Sequence, residues 1–442
     1  MRDLMLVPAV AALFIMGLRN PFIAYLAWGW TATMALDNYM YGFMVTVQLN
    51  MMFALLSLTH LLVGSDKLKQ PPAPNRTSVL ITLFVLQAFV AAIAAYPGME
   101  RNWEHSTDLF KMLAFCLAMP LLVTNRLRLH ALLLALVLAM SFHGLLDGLK
   151  LIASGGKHLA GGVRKFGDNN HFAVMIAMVI PLTYFLAQHS AHRLVRIGFS
   201  MVTLLTVLGV VATQSRGGLL CVAIMAVWLV KNSRRKFAIT AMVLLAAGAV
   251  VAIAPEHWIE RMNTIDEADQ DSSFMGRVMA WKRSSAMAMA HPFVGAGLGS
   301  AAAASIYWKF ADEPGFLGFV ETPPADGIAF VAHSIYFQVL GDMGFVGFFI
   351  FVAILVNAFL TRLEIRRRIK ASKKDLVWAR DLADMLSVSV IAFAVGGALV
   401  SIAFQEFFYM ILMLMEVLRQ QVIRECAAPP LAGAPAGELA KA

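Results

Sequence analysis

The chain has 442 residues, of which 60% are hydrophobic and only 14% charged, and a mean hydropathy of +0.71. A water-soluble protein of this length needs far more polar residues to cover its surface, so the composition excludes a soluble globular class and points to a polytopic helical membrane protein. The formal net charge of +9 sits in short loops with no interleaved nucleic-acid motif, so it speaks for membrane orientation and against nucleic-acid binding.

Taken in chain order, apolar runs between charged or Pro/Gly-rich breaks fall at 4–18, 21–36, 42–64, 78–96, 109–123, 129–153, 170–187, 195–213, 217–230, 237–254, 334–360, 383–403 and 404–422. The first two are short, and the last two could form one broken helix, giving an all-α protein of about twelve crossings. The basic start before the first run resembles a signal peptide, but no small-residue cleavage site follows, so it reads as a retained helix. Residues 1–254 form an N-terminal helical region, 255–333 a long loop with an amphipathic helix, 334–422 a C-terminal helical region and 423–442 a flexible tail.

Alternate loops carry the cations: Lys67, Lys69 and Arg76; Arg126 and Arg128; Arg193 and Arg196; Lys231, Arg234, Arg235 and Lys236; and "TRLEIRRRIKASKKDLVWAR" at 361–380. These loops should face the cytoplasm. The loops between them face outward, among them 154–169, the turn holding Arg216, and 255–333 with ten acidic and five basic residues. Cys116, Cys221 and Cys426 suggest no disulfide framework, and neither CxxC nor HExxH is present to hold a metal.

Three outward stretches carry candidate chemistry. In "VVATQSRGGLLCVAI" (210–224), Arg216 follows Gln214 and Ser215 between two membrane-grade runs, where it is either a snorkelling boundary residue or an anion ligand. The stretch 274–289 places Phe274, Val278, Trp281 and Met287 broadly on one side of a helix lying on the membrane surface or the bundle's outer face. Arg277 sits there among cations that read as solvated, Lys282 and Arg283. His291-Pro292 ends this helix, and Gly295, Gly297 and Gly299 form a flexible turn rather than a dinucleotide fingerprint. His333 opens the next helix, with Tyr336 a turn deeper and Asp342 further in; a histidine there can act as general base. A second helix entrance supplies Arg164, Lys165, Asn170 and His171, where free N–H groups favour anions. Asp147 and Lys150 interrupt one apolar run and can pair, while Glu406 and Glu416 fall near helix ends.

Together the Arg216-Gly217-Gly218 turn, the long loop with Arg277, Trp281 and His291 to Gly299, and the run His333, Ser334, Tyr336, Leu340, Asp342, Gly344 resemble the bacterial O-antigen ligase and polymerase superfamily, and most of all its ligase branch. Asp342 stands where many such sequences have glutamate. The resemblance implies transfer of O-antigen polysaccharide from undecaprenyl pyrophosphate to a sugar hydroxyl of lipid A–core, at the periplasmic face of the bacterial inner membrane, with no metal or other cofactor. Arg216 and Arg277 would hold the pyrophosphate, and His333 would deprotonate the acceptor. Arg164, Lys165, Asn170, His171, Gln214, Ser215 and Tyr336 would line the substrate site. The other readings are an O-antigen polymerase, a protein O-glycosylation ligase and, from a different class, a transporter or flippase. No two-fold hydropathy repeat supports the last.

Overall fold

The computed structural model describes residues 2–40, 42–64, 75–99, 101–162, 167–232, 272–313, 315–322, 331–372 and 374–427, with single positions between 237 and 248. The expected sites Arg164 and Lys165, the apolar run 237–254 (save those single positions), the first part of the long loop and the tail beyond 427 lie outside them. Among the described residues the chain is all helical: α1 (Arg2–Arg19), α2 (Pro21–Met34), α3 (Leu49–Val63), α4 (Arg76–Ile93), α5 (Asn102–Leu122), α6 (Arg126–Ala153), α7 (Asn169–His189), α8 (Arg193–Ala212), α9 (Arg216–Asn232), α10 (Ser272–Ala290), α11 (Ala304–Lys309), α12 (Ile335–Ser372), α13 (Val377–Gly396) and α14 (Glu406–Ala427).

Six of these are long and apolar enough to cross a membrane: α4, α6, α7, α8, α12 and α13; α1 and α3 contain shorter apolar stretches. The chain is thus a multi-pass membrane protein. Several helices start where the sequence offers an acceptor for the unpaired first-turn amides. Asn20 caps α2 ahead of Pro21, Asn75 caps α4, Asn125 caps α6 and Asp168 caps α7.

Some boundaries differ from the hydropathy reading. α3 begins at Leu49 rather than 42, because a short 3-10 turn (Phe43–Thr46) precedes it. α5 begins at Asn102 rather than 109, its first two turns being polar and charged yet helical. α12 runs on to Ser372, past the apolar stretch, while α13 and α14 are separate helices divided at 397–405.

Among the described residues, basic side chains beside several of the basic loops meet at one end of the bundle. Glu364 on α12 binds Arg76, Arg368 and Arg419, Asp384 on α13 binds Arg362 and Arg366, and Arg419 also pairs with Glu416. Arg424 donates to the Thr124 carbonyl, His189 meets Asp381, and the Arg126 guanidinium lies 4.4 Å above Trp378. At the other end α6 and α8 approach backbone to backbone. A Cβ on Gly209 would stand 2.3 Å from the Gly144 carbonyl oxygen. Asp147 there pairs with both Lys150 and His158.

α12 is broken near its start. Gly344 has φ 67° and ψ −169°, which only glycine adopts without strain, and the residues from 291 to 300 cross the break. The Ala296 and Gly297 amides donate to the Gly341 and Asp342 carbonyls, Phe345 N–H donates to the Pro292 carbonyl, and Gln87 of α4 donates to the Phe293 and Met343 carbonyls. The backbone groups released by the kink are therefore satisfied inside the protein, which the low-dielectric membrane demands. The turn that the three glycines suggested as flexible is instead a fitted part of the bundle, because its amides replace missing helix bonds.

Candidate active site

The Arg216 turn is built by its neighbours. Thr213 Oγ1 donates to the Val210 carbonyl as α8 ends, and Gln214 takes a left-handed φ of 53°. Buried Ser215 accepts the Gly218 amide on its Oγ and the Leu219 amide on its carbonyl, so it caps α9. Arg216 is then the first residue of α9, half-buried. Gly218 allows α9 to press on α7, since a Cβ there would stand 2.7 Å from the Ala173 Cβ.

The start of α7 joins the same turn. Asn169 Nδ2 donates to the Thr213 carbonyl at 2.9 Å. Asp168 Oδ1 accepts the Asn170 and His171 amides at 2.9 Å each and meets His171 Nδ1 at 2.6 Å. Burial alone would raise the Asp168 carboxyl; the His171 and Asn170 bonds outweigh it and hold it well below the usual carboxylate range.

His333 stands immediately before α12 in a left-handed conformation, φ 46°. Strain of this kind in a non-glycine residue persists where the surroundings enforce it. Burial, then the positive charge of Arg277, then His171 lower its pKa to about 4, with Asp168 acting the other way. Arg277 of α10 and the Asp168–His171 pair at the start of α7 thus both act electrostatically on this imidazole. α10 is fixed on α12 by Trp281, one turn beyond Arg277, whose ring stacks on Phe337 at 5.3 Å and 7°. Ile335 packs on Gly397 at the end of α13, and Gly217 faces the Gly396 carbonyl, so the openings of α9 and α12 flank the same helix end.

The electrostatics thus link His333 with Arg277 and His171, and Thr213, immediately before the turn of Gln214, Ser215 and Arg216, is hydrogen-bonded to Asn169 at the start of α7. Asn170 sits in the α7 cap, its side chain 3.4 Å from Asn169 Oδ1. Tyr336 points its hydroxyl to the Ala394 carbonyl at 3.0 Å, into the bundle. Arg283 is not solvated as its neighbours suggested: it is 4% exposed and lies 3.7 Å above the Tyr307 ring. Lys282 is also engaged, donating to the Val320 carbonyl and to Thr322. His291 meets the Tyr96 hydroxyl at 2.6 Å. The residue that sequence reasoning missed is Asp168, whose signal was an acidic N-cap three positions before a histidine.

Asp342 is fully buried, with both oxygens engaged. Oδ1 accepts the Ser300 amide at 3.0 Å and its hydroxyl at 2.7 Å, and Oδ2 accepts the Gly299 amide at 3.0 Å.

Residues 201–352 match the family model described as O-antigen ligase, and residues 1–191 match a family of unknown function (DUF5935). Comparison with curated proteins gives no match. The O-antigen ligase match spans the Arg216 turn, α10 and the opening of α12, and it supports a member of the O-antigen ligase/polymerase superfamily.

Proposed function

We propose that the chain is the ligase of this superfamily: a glycosyltransferase that moves O-antigen polysaccharide from undecaprenyl pyrophosphate to a sugar hydroxyl of lipid A–core, at the periplasmic face of the bacterial inner membrane and without a metal. The observation that carries the reading is that the openings of α9 and α12, at which Arg216 and His333 stand, flank the same end of α13 within the span that matches the O-antigen ligase family.

The acceptor oxygen attacks the anomeric carbon as the bond from that carbon to the pyrophosphate oxygen breaks. The pyrophosphate leaves with the bonding electrons, and the hydroxyl proton passes to the His333 imidazole. Arg216 and Arg277 stabilise the charge gathering on the leaving group, where a planar guanidinium can engage two phosphate oxygens at once. Gln214, Ser215, Asn170 and His171 line the substrate site, with Arg164 and Lys165 as further phosphate ligands. Tyr336 supports the first turn of α12 from within the bundle.

The test is transfer in liposomes holding the native protein, carrier-linked glycan, lipid A–core and EDTA, followed on a gel beside Arg216→Ala and His333→Ala. Glycan on lipid A–core with chelator present, and lost in both variants, is the expected result. Longer chains left on the carrier would make the protein a polymerase, and glycan on a protein acceptor a protein ligase. Absence of any transfer by well-folded protein would turn the reading toward a transporter.

A further inference from the structure

Arg277 and His333 sit on two different elements, and their spacing depends on how α10 is attached to α12. One attachment is the Trp281–Phe337 stack near Arg277. Were it alone, α10 could pivot about that ring pair. A second attachment lies where α10 ends: residues 291–300 turn back across α12, and Asp342 grips Gly299 and Ser300 through three hydrogen bonds.

We propose that Asp342 is a positioning residue for the glycosyl transfer, its carboxylate clamping the segment that follows α10 so that Arg277 keeps a fixed distance from His333. The proposal rests on the ligase reading for its catalytic consequence and on the hydrogen-bond geometry for its mechanical one. Three features support it. Asp342 is seven residues into α12, roughly 10 Å along the helix axis from its start, so the carboxylate is removed from the reacting groups. Both of its oxygens are turned to the segment and take three hydrogen bonds there. A carboxylate 1% exposed within a membrane helix is expensive to bury, and an apolar side chain would leave the Gly299 and Ser300 amides without this acceptor.

The break at Gly344 makes the clamp necessary. With the continuous helix ladder interrupted, the short first part of α12 has no rigid-rod connection to the remainder. The bonds from residues 292–300 and from Gln87 replace that connection, and Asp342 supplies the charged ones.

The experiment uses full-length protein in liposomes with the carrier-linked glycan and lipid A–core. Asp342→Asn keeps the shape but replaces one acceptor oxygen with an amide that cannot accept from Gly299. Ser300→Ala removes a single hydroxyl bond and serves if the first variant does not fold. Spin labels at Met289→Cys, 53% exposed on α10, and Phe349→Cys, 64% exposed beyond the break, report the distance in a Cys426→Ser background without any substrate.

The expected result for Asp342→Asn is a roughly 10²-fold fall in kcat, as small misplacements of reacting groups produce. The KM for the donor should stay within about twofold, since ground-state binding is retained. The acid limb of the pH–rate profile should persist, moving upward by less than it does in Arg277→Gln, and the label-to-label distance distribution should widen. Ser300→Ala should fall between native and Asp342→Asn in both readouts. Native kcat together with a native distance width would overturn the proposal, as would loss of the acid limb, which would make Asp342 the base itself. If native protein transfers no glycan, the ligase reading fails, while the label distances still decide whether the clamp exists.

Discussion

At His333 a strained backbone and an unfavourable charge environment coincide. With its pKa near 4, the ring is neutral at working pH and available to accept a proton. If it is the base, kcat/KM should rise with pH through about 4 rather than through the ordinary histidine value of about 6.5. Arg277→Gln removes a cation that opposes protonation, so the ring keeps its proton to higher pH and the acid limb should move upward. Asp168→Asn removes an anion that favours protonation, so the limb should move down. Profiles of the two variants shifting the same way would sink this electrostatic account. At Arg216, substitution by alanine should cost about 10²–10³ in kcat. Lysine should restore part of this, as a point charge without the two-pronged geometry. In the sequence Arg216 stood out as a polar interruption between two apolar runs and His333 as the opening of one, whereas Arg277 read as one cation among several and was singled out by the family resemblance alone. Asp168 did not stand out, because its importance comes from a tertiary neighbour, and Arg283 read as solvated because helical spacing does not reveal the Tyr307 ring that covers it.

Among the elements, the membrane helices were legible from length and hydropathy, but their ends were not. α5 starts a full two turns before its apolar run, and α12 continues beyond its own as far as Ser372, stabilised by ion pairs to α13, α14 and Arg76. The break in α12 was also hidden: "LGDMGFVGFF" contains glycines but no proline, and the cause is a distant segment. Gly344→Ala tests the cause directly. A Cβ there would stand 2.6 Å from the Pro292 carbonyl oxygen at a φ of 67°, so both strain and overlap apply. Gly98→Ala, at φ 84° with nothing within 4 Å, incurs only the left-handed penalty of about 1–2 kcal/mol. Thermal unfolding in detergent should therefore show a clearly larger loss for Gly344→Ala; equal losses would mean that the crossing segment yields freely.

For the whole molecule, charge separates the two ends. One end ties basic residues together with buried and half-buried ion pairs, and the other brings the capped starts of α7 and α9 close to the opening of α12. The alternation of basic loops along the sequence already indicated this, since loops joining successive crossings must alternate sides. Impermeant maleimide should label Lys157→Cys from the periplasm and reach Arg193→Cys only after the inner membrane is opened. The reverse pattern would invert the sidedness on which the substrate assignment depends.

The glycine-rich crossing has one more consequence, for solvent exchange. Every amide from Val294 to Ser300 donates a hydrogen bond, to His291, Gly341, Asp342, Asn102 or Gly297. Deuterium uptake in this segment should consequently be as slow as in the interior of a helix, despite three glycines in seven residues and no regular helix of its own.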